Sequence, residues 1–163
     1  MLREAPQVLI ALEQSGLAAA IRQSVWAYPA ANVGHIVALT LFAGSVAIMD
    51  ARLLGAFAAA PPMDVVRPAR RTAMLGLLLM AITGSMLFTA EASHVAMNPV
   101  FQVKAVLIAL GLLNALLAGR ALNTALAEAK PFEPLPGRVR LSALLSLTIW
   151  ISVAACGRLI AYF

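Results

Sequence analysis

The stretch from Thr72 to Thr89, TAMLGLLLMAITGSMLFT, holds no charged residue, and three more long apolar blocks share the chain with it. No other feature constrains the fold as strongly. A helix needs about 20 apolar residues to cross a hydrocarbon core of about 30 Å. Inside that core a single span must satisfy its own backbone amides, which selects helix. The blocks predict spans at about 31–55, 72–95, 99–124 and 139–162, each long enough to cross with some tilt. Across all 163 residues, 62% are hydrophobic and 12% are charged, with a mean hydropathy of +0.90. A soluble domain is about half apolar and about a quarter charged, so a water-soluble core does not account for this chain.

The connections are chemically distinct from the blocks. AAAPPMDVVRPARR and AKPFEPLPGRVR are rich in proline and arginine, and MNP forms a tight turn before the third span. Short connections between helices make antiparallel neighbours. The expected fold is therefore all-α: an integral membrane up-down-up-down four-helix bundle over residues 31–163. Ahead of it, residues 1–30 predict an amphipathic interfacial helix. Val8, Leu9, Leu12, Leu17 and Ile21 would face lipid or protein, and Glu13, Gln14 and Arg22 would face water. Trp26 and Tyr28 suit the headgroup level, and Pro29 is expected to break the helix before the first span. Residues 1–25 lack a basic segment followed by an uninterrupted apolar core, so no cleavable signal peptide is expected.

Lysine and arginine set the orientation. Arg52, Arg67, Arg70, Arg71, Arg120, Lys130, Arg138 and Arg140 fall on one side, against Arg3, Arg22, Lys104 and Arg158 on the other. The first side is expected to be cytoplasmic in a bacterial inner membrane, with both termini extracytoplasmic. The net charge of +5 does not indicate nucleic-acid binding. The basic residues sit in loops between apolar blocks, and there are no aromatic stacking platforms. One cysteine, Cys156, supports neither an intrachain disulfide nor a cysteine metal cage. No phosphate-cradling G-x-x-x-x-G-K-[ST] loop and no G-x-S-x-G elbow occurs.

The chain has two histidines, His35 and His94, each at the edge of an apolar block. Antiparallel spans put both in the same leaflet. Two neutral imidazoles on neighbouring helices can clamp the iron of a b-type haem as its axial ligands, and bundle interiors house such cofactors. Lys104 and Arg158, at the same wet edge, would pair with the haem propionates. In AEASHVAMNP, Glu91 and His94 stand at i, i+3 and would share one helical face. With His35 they make an alternative site for a single copper, zinc or iron ion. The third alternative is that both histidines are interface residues with no ligand. Asp50, near the end of span one, is expected to be clamped by Arg70, Arg71 or Arg120 in preference to serving a proton relay. Asn114, in mid-span, is expected to hydrogen-bond across helices. Gly44, Gly76, Gly84 and Gly111 read as close helix contacts.

The segments NVGHIVALTLFAGSVAIMDARLLG and TGSMLFTAEASHVAMNPVFQVKAVLIALGLLNALL resemble a family of uncharacterised bacterial four-span membrane proteins, a domain of unknown function. The resemblance covers about residues 30–125. It rests on Gly34, His35, Asp50 to Gly55, Thr83, Gly84, Asn98 to Phe101, Lys104 and Asn114. More loosely, the architecture is similar to copper-resistance D membrane proteins and to four-helix b-type cytochromes. That looser likeness implies a single bis-histidine haem passing electrons between a periplasmic redox protein and a quinone. Two other readings stand beside it: a cofactor-free accessory subunit of a larger membrane complex or homo-oligomer, and a copper- or metal-handling protein.

Overall fold

The computed structural model describes residues 5–162, and every regular element among them is a helix. Two short helices, α1 (Gln7–Glu13) and α2 (Gly16–Gln23), precede α3 (Ala27–Leu54) and α4 (Pro62–Ala90). A single-turn piece, α5 (Ala92–Met97), leads into α6 (Pro99–Glu128) and α7 (Gly137–Leu159). Four of these, α3, α4, α6 and α7, are long and apolar enough to cross a bilayer.

Local chemistry sets the boundaries. Gly55 ends α3 in the left-handed conformation, at φ 117°, where a side chain would be strained. Asn98 begins α6: its side-chain oxygen accepts from the amides of Val100 (2.9 Å) and Phe101 (3.3 Å), with Pro99 in the first helical position. The Asn-Pro pair that closes the apolar run is thus a helix start.

Three expectations change. The N-terminal segment is two helices, because Ser15 interrupts it and caps α2 by accepting from the Ala18 amide (3.2 Å). Pro29 lies within the first turn of α3, whose amides have no intrahelical acceptor, so it does not break the chain there. The loop expected before residue 72 is largely helical. Pro62 occupies the start of α4, and Pro68, inside the helix, is accommodated with Arg67, Arg70 and Arg71 around it.

The four long helices form an arc in the order α4, α3, α7, α6. The α3–α4 and α6–α7 pairs pack extensively, α3 joins them through α7, and α4 scarcely meets α6. The tightest approach is between α3 and α4. A Cβ built on Gly76 would stand 2.8 Å from the backbone nitrogen of Phe42 and 2.9 Å from its Cα. Gly111 plays the same part between α6 and α7, where a Cβ would fall 2.9 Å from the Trp150 ring. Gly84 receives the His35 ring, whereas Gly44 has open space, so three of the four expected glycine contacts are formed.

Two apolar clusters hold the arc. Phe42, Val46 and Ala73 meet Trp150 near mid-bundle, with Phe42 and Trp150 edge to face at 4.6 Å between ring centres. At the arginine-rich end Leu53, Val66, Leu122, Leu126, Leu135, Val139 and Ala143 form a plug. Gly76→Ala is expected to lower stability by about 1–3 kcal/mol, because the new methyl meets backbone that cannot yield cheaply. Gly44→Ala should be neutral or gain up to about 1 kcal/mol from helix propensity. Unfolding in mixed detergent micelles measures both. Equal effects would mean the α3–α4 contact is not the tight one.

Candidate functional site

At the histidine end, α3 and α4 bring together His35, Thr83 and Gly84. Nδ1 of His35 lies 2.9 Å from the Thr83 hydroxyl, and that hydroxyl donates its one proton to the Leu79 carbonyl at 2.7 Å. The hydroxyl oxygen therefore accepts from His35, and the ring carries its proton on Nδ1. In the neutral ring Nε2 then keeps its lone pair. Lys104 reaches inward from α6, its Nζ 3.4 Å from where a Cβ on Gly157 of α7 would stand.

His94 stands elsewhere. It is exposed on α5, beyond the end of α4 at Ala90, seven residues past Thr83. That is about 10 Å of helix rise from the level at which His35 meets α4. Axial nitrogens of one haem stand about 4 Å apart, at about 2 Å per metal–nitrogen bond; here the His35 ring is bonded to Thr83 and His94 is exposed on α5. Glu91 is not on a helical face with His94 either. At φ −139°, ψ 40° it is the break between α4 and α5, and its carboxylate accepts a long bond from the Tyr28 hydroxyl (3.4 Å). Among the described residues no group of three His, Cys, Asp or Glu side chains is placed to share a metal ion. His35, Glu91 and His94 are therefore not gathered as a three-ligand site. Arg158 is exposed at the end of α7, donating to the Tyr162 hydroxyl (2.9 Å) and lying over its ring.

The α4–α5 break is held from outside. Arg22 donates to the Ala90 carbonyl (2.6 Å), and a Glu13 carboxylate oxygen accepts from the Ser93 amide (2.8 Å) and the Ser93 hydroxyl. A cation meets a helix C-terminus and an anion a helix N-terminus, each matching the local dipole. These two residues, expected to face water, act as a two-point latch. The Ser93 hydroxyl and amide hold the Glu13 carboxyl below the ordinary glutamate range, with Arg22 and His94 adding to the effect.

The second locality lies toward the arginine-rich end, where the seam between α4 and α6 opens onto a cavity of about 360 Å³. Phe42, Val46, Leu77 and Trp150 are among its walls, and Asp50 and Ser146 lie at its floor. Asp50 is 1% exposed, and its Oδ2 has no hydrogen-bond partner. The expected arginine clamp is not made. Arg70, on the cavity rim, donates to Asn123 across the seam (3.1 Å). Arg52 is 2% exposed and donates to the Ala60 carbonyl (2.8 Å), which ties down the α3–α4 loop. Asn114 does bond across helices, donating to the Ser142 carbonyl (3.0 Å) and accepting from the Ser142 hydroxyl (3.1 Å). Asp50 and Asn114 were visible as polar residues in apolar blocks. Trp150 and Ser146 gave no such signal, because their role depends on which helix faces which.

These features define a class: a four-span helical membrane bundle, open along one seam, with a buried carboxyl on the cavity floor. The chain belongs to the family described as "Family of unknown function (DUF6644)", whose model matches residues 13–163. No curated protein and no solved structure matches it.

The latch gives a pH prediction. A lowered folded-state pKa contributes stability that is fully present above the unfolded value, about pH 4.3, and is lost as pH falls through the folded one. Protection of the Ser93 amide against hydrogen exchange is expected to fall severalfold in Glu13→Ala at pH 7. The wild type should approach the variant only below about pH 4. Identical protection in both proteins at pH 7 would remove the latch.

Proposed function

We propose that this protein is a membrane-embedded binding protein whose ligand is a small lipophilic molecule, taken sideways from the bilayer through the α4–α6 seam. The observation that carries this reading is the cavity of about 360 Å³ walled by apolar side chains where two neighbouring spans fail to close. Binding sites of this kind are concave and mostly apolar, with a few polar groups that orient the ligand, and bundles place them between helices. Here Asp50, Ser146 and the Asn114–Ser142 pair are those groups. A cluster of buried leucines and valines, Leu53 and Leu122 among them, lies between the cavity and the arginine-rich end, and the seam gives the cavity a route to lipid. Under the lysine and arginine distribution this cavity lies in the cytoplasmic leaflet of the inner membrane.

Trp150 lines the cavity and reports on it. The chain has two tryptophans, so Trp26→Phe leaves Trp150 alone. The neutral probe 11-bromoundecanol is expected to quench Trp150 fluorescence saturably. Filling the cavity with Ala118→Phe should raise the half-quenching concentration about tenfold or more. Unsaturable quenching, unchanged by Ala118→Phe, would mean simple contact with lipid and would end this reading.

One observation favours a second reading, an electron-transfer protein carrying a b-type haem. The Thr83 bond leaves Nε2 of His35 with its lone pair, and ligating histidines characteristically donate their other ring proton in this way. Oxidised and dithionite-reduced spectra test it. A Soret band that His35→Ala abolishes would support it, and a flat trace with no iron in the purified protein would remove it.

A further inference from the structure

An apolar binding cavity does not by itself call for a carboxyl, and Asp50 is the group it leaves unexplained. The charged and polar groups around it are few. From α3, Arg52 is two residues on; its Nη2 donates to the Ala60 carbonyl of the α3–α4 loop, and its buried Nε has no acceptor. From α4, Arg70 reaches across to Asn123. From α6, the Asn114 amide is committed to Ser142. From α7, the Ser146 hydroxyl is the polar group that faces Asp50. Among the described residues no cation is committed to this carboxyl, and Oδ2 is left without a donor.

Burying an ionised carboxylate in a bilayer with neither a cation nor a full set of donors is costly. Such a group is neutralised by a proton or by a cation. The cavity beside it is large, apolar and open to lipid, which specifies the cation further. A metal ion would need several oxygen ligands that this wall does not offer. An anion would meet the carboxyl on the floor.

Resting on the reading of the cavity as a lipophile site, we propose that its ligand is a protonated amine with an apolar tail, and that Asp50 exchanges its own proton for that ammonium. The exchange is balanced. The Asp50 O–H bond breaks, the proton passes to water, and the carboxylate oxygens accept N–H donors from the ammonium. No electron moves, so neither an oxidant nor a reductant is required. The tail lies among Phe42, Leu77 and Trp150, and the head group lies between Asp50 and Ser146. Amine binding and proton binding at Asp50 are competitive, so each weakens the other by the same factor.

The test compares two probes of equal chain length, 11-bromoundecylamine and 11-bromoundecanol, by Trp150 quenching in Trp26→Phe protein held in a neutral detergent. The amine is expected to half-quench at a concentration at least about tenfold lower than the alcohol. At pH below the point where Asp50 ionises, that ratio should grow by about tenfold per unit rise in pH, as exchange of one proton requires, and level off above it. In weakly buffered solution one proton should appear per amine bound. Asp50→Asn should equalise the two probes, with alcohol quenching still saturable and still weakened by Ala118→Phe. Equal half-quenching concentrations in the parent protein, or a preference for the amine that survives Asp50→Asn, overturn the inference. In both of those cases saturable alcohol quenching leaves the cavity reading standing. Loss of alcohol quenching in every variant sinks the cavity reading and this inference together.

Discussion

The backbone contact between Phe42 and Gly76 fixes the frame on which the rest is built. With no Cβ on Gly76, α3 and α4 come close enough to interlock, in the register that sets Gly76 against the Phe42 backbone. Seven residues separate His35 from Phe42, and seven separate Gly76 from Thr83, which is about two helical turns on each side. The same register therefore brings Thr83 to His35 at one end and puts Arg70 on the rim of the cavity that holds Asp50 at the other. In a membrane, where lipid is as apolar as leucine, close packing of this kind drives association more than burial of greasy surface does.

The open seam follows from what the other helices do. Trp150 packs edge to face on Phe42 and also fills the space above Gly111, so α7 is drawn against both α3 and α6. α6 lies on α7 and meets α4 mainly near its ends, through the stacked rings of Phe88 and Phe101 (5.5 Å between centres) at the histidine end and the Arg70–Asn123 bond at the arginine-rich end. The result is an arc whose two outer helices enclose a space instead of a core. Below that space lies the cluster of leucines and valines. Asp50 is thereby buried by its neighbours at a depth where its position in the sequence alone would have left it near a wet boundary.

At the histidine end the chain solves a different problem. The break between α4 and α5 leaves a C-terminal carbonyl and an N-terminal amide close together. Arg22 and Glu13, from the short helices that precede the spans, satisfy one each. Charges that a helical-wheel reading assigns to solvent are used as caps. The same break removes the shared face that the E-x-x-H spacing implies, because that spacing has meaning only within a continuous helix.

The sequence by itself determined the number and approximate place of the spans, the helical class, the start of the third span at the Asn-Pro pair and the polar positions worth watching. These follow from local rules, namely the length of apolar runs, the capping chemistry of asparagine and the stiffness of proline. Asp50, Asn114 and His35 were legible as residues out of keeping with their blocks. Their partners were not. Only the tertiary structure decided that His35 meets Thr83 and not His94, that Asp50 goes without an arginine, and that the seam opens between α4 and α6. Each of those outcomes depends on the rotation and register of one helix against another. Such relations are set by contacts between residues tens of positions apart, such as glycine on backbone and tryptophan on phenylalanine, and no local pattern along the chain encodes them.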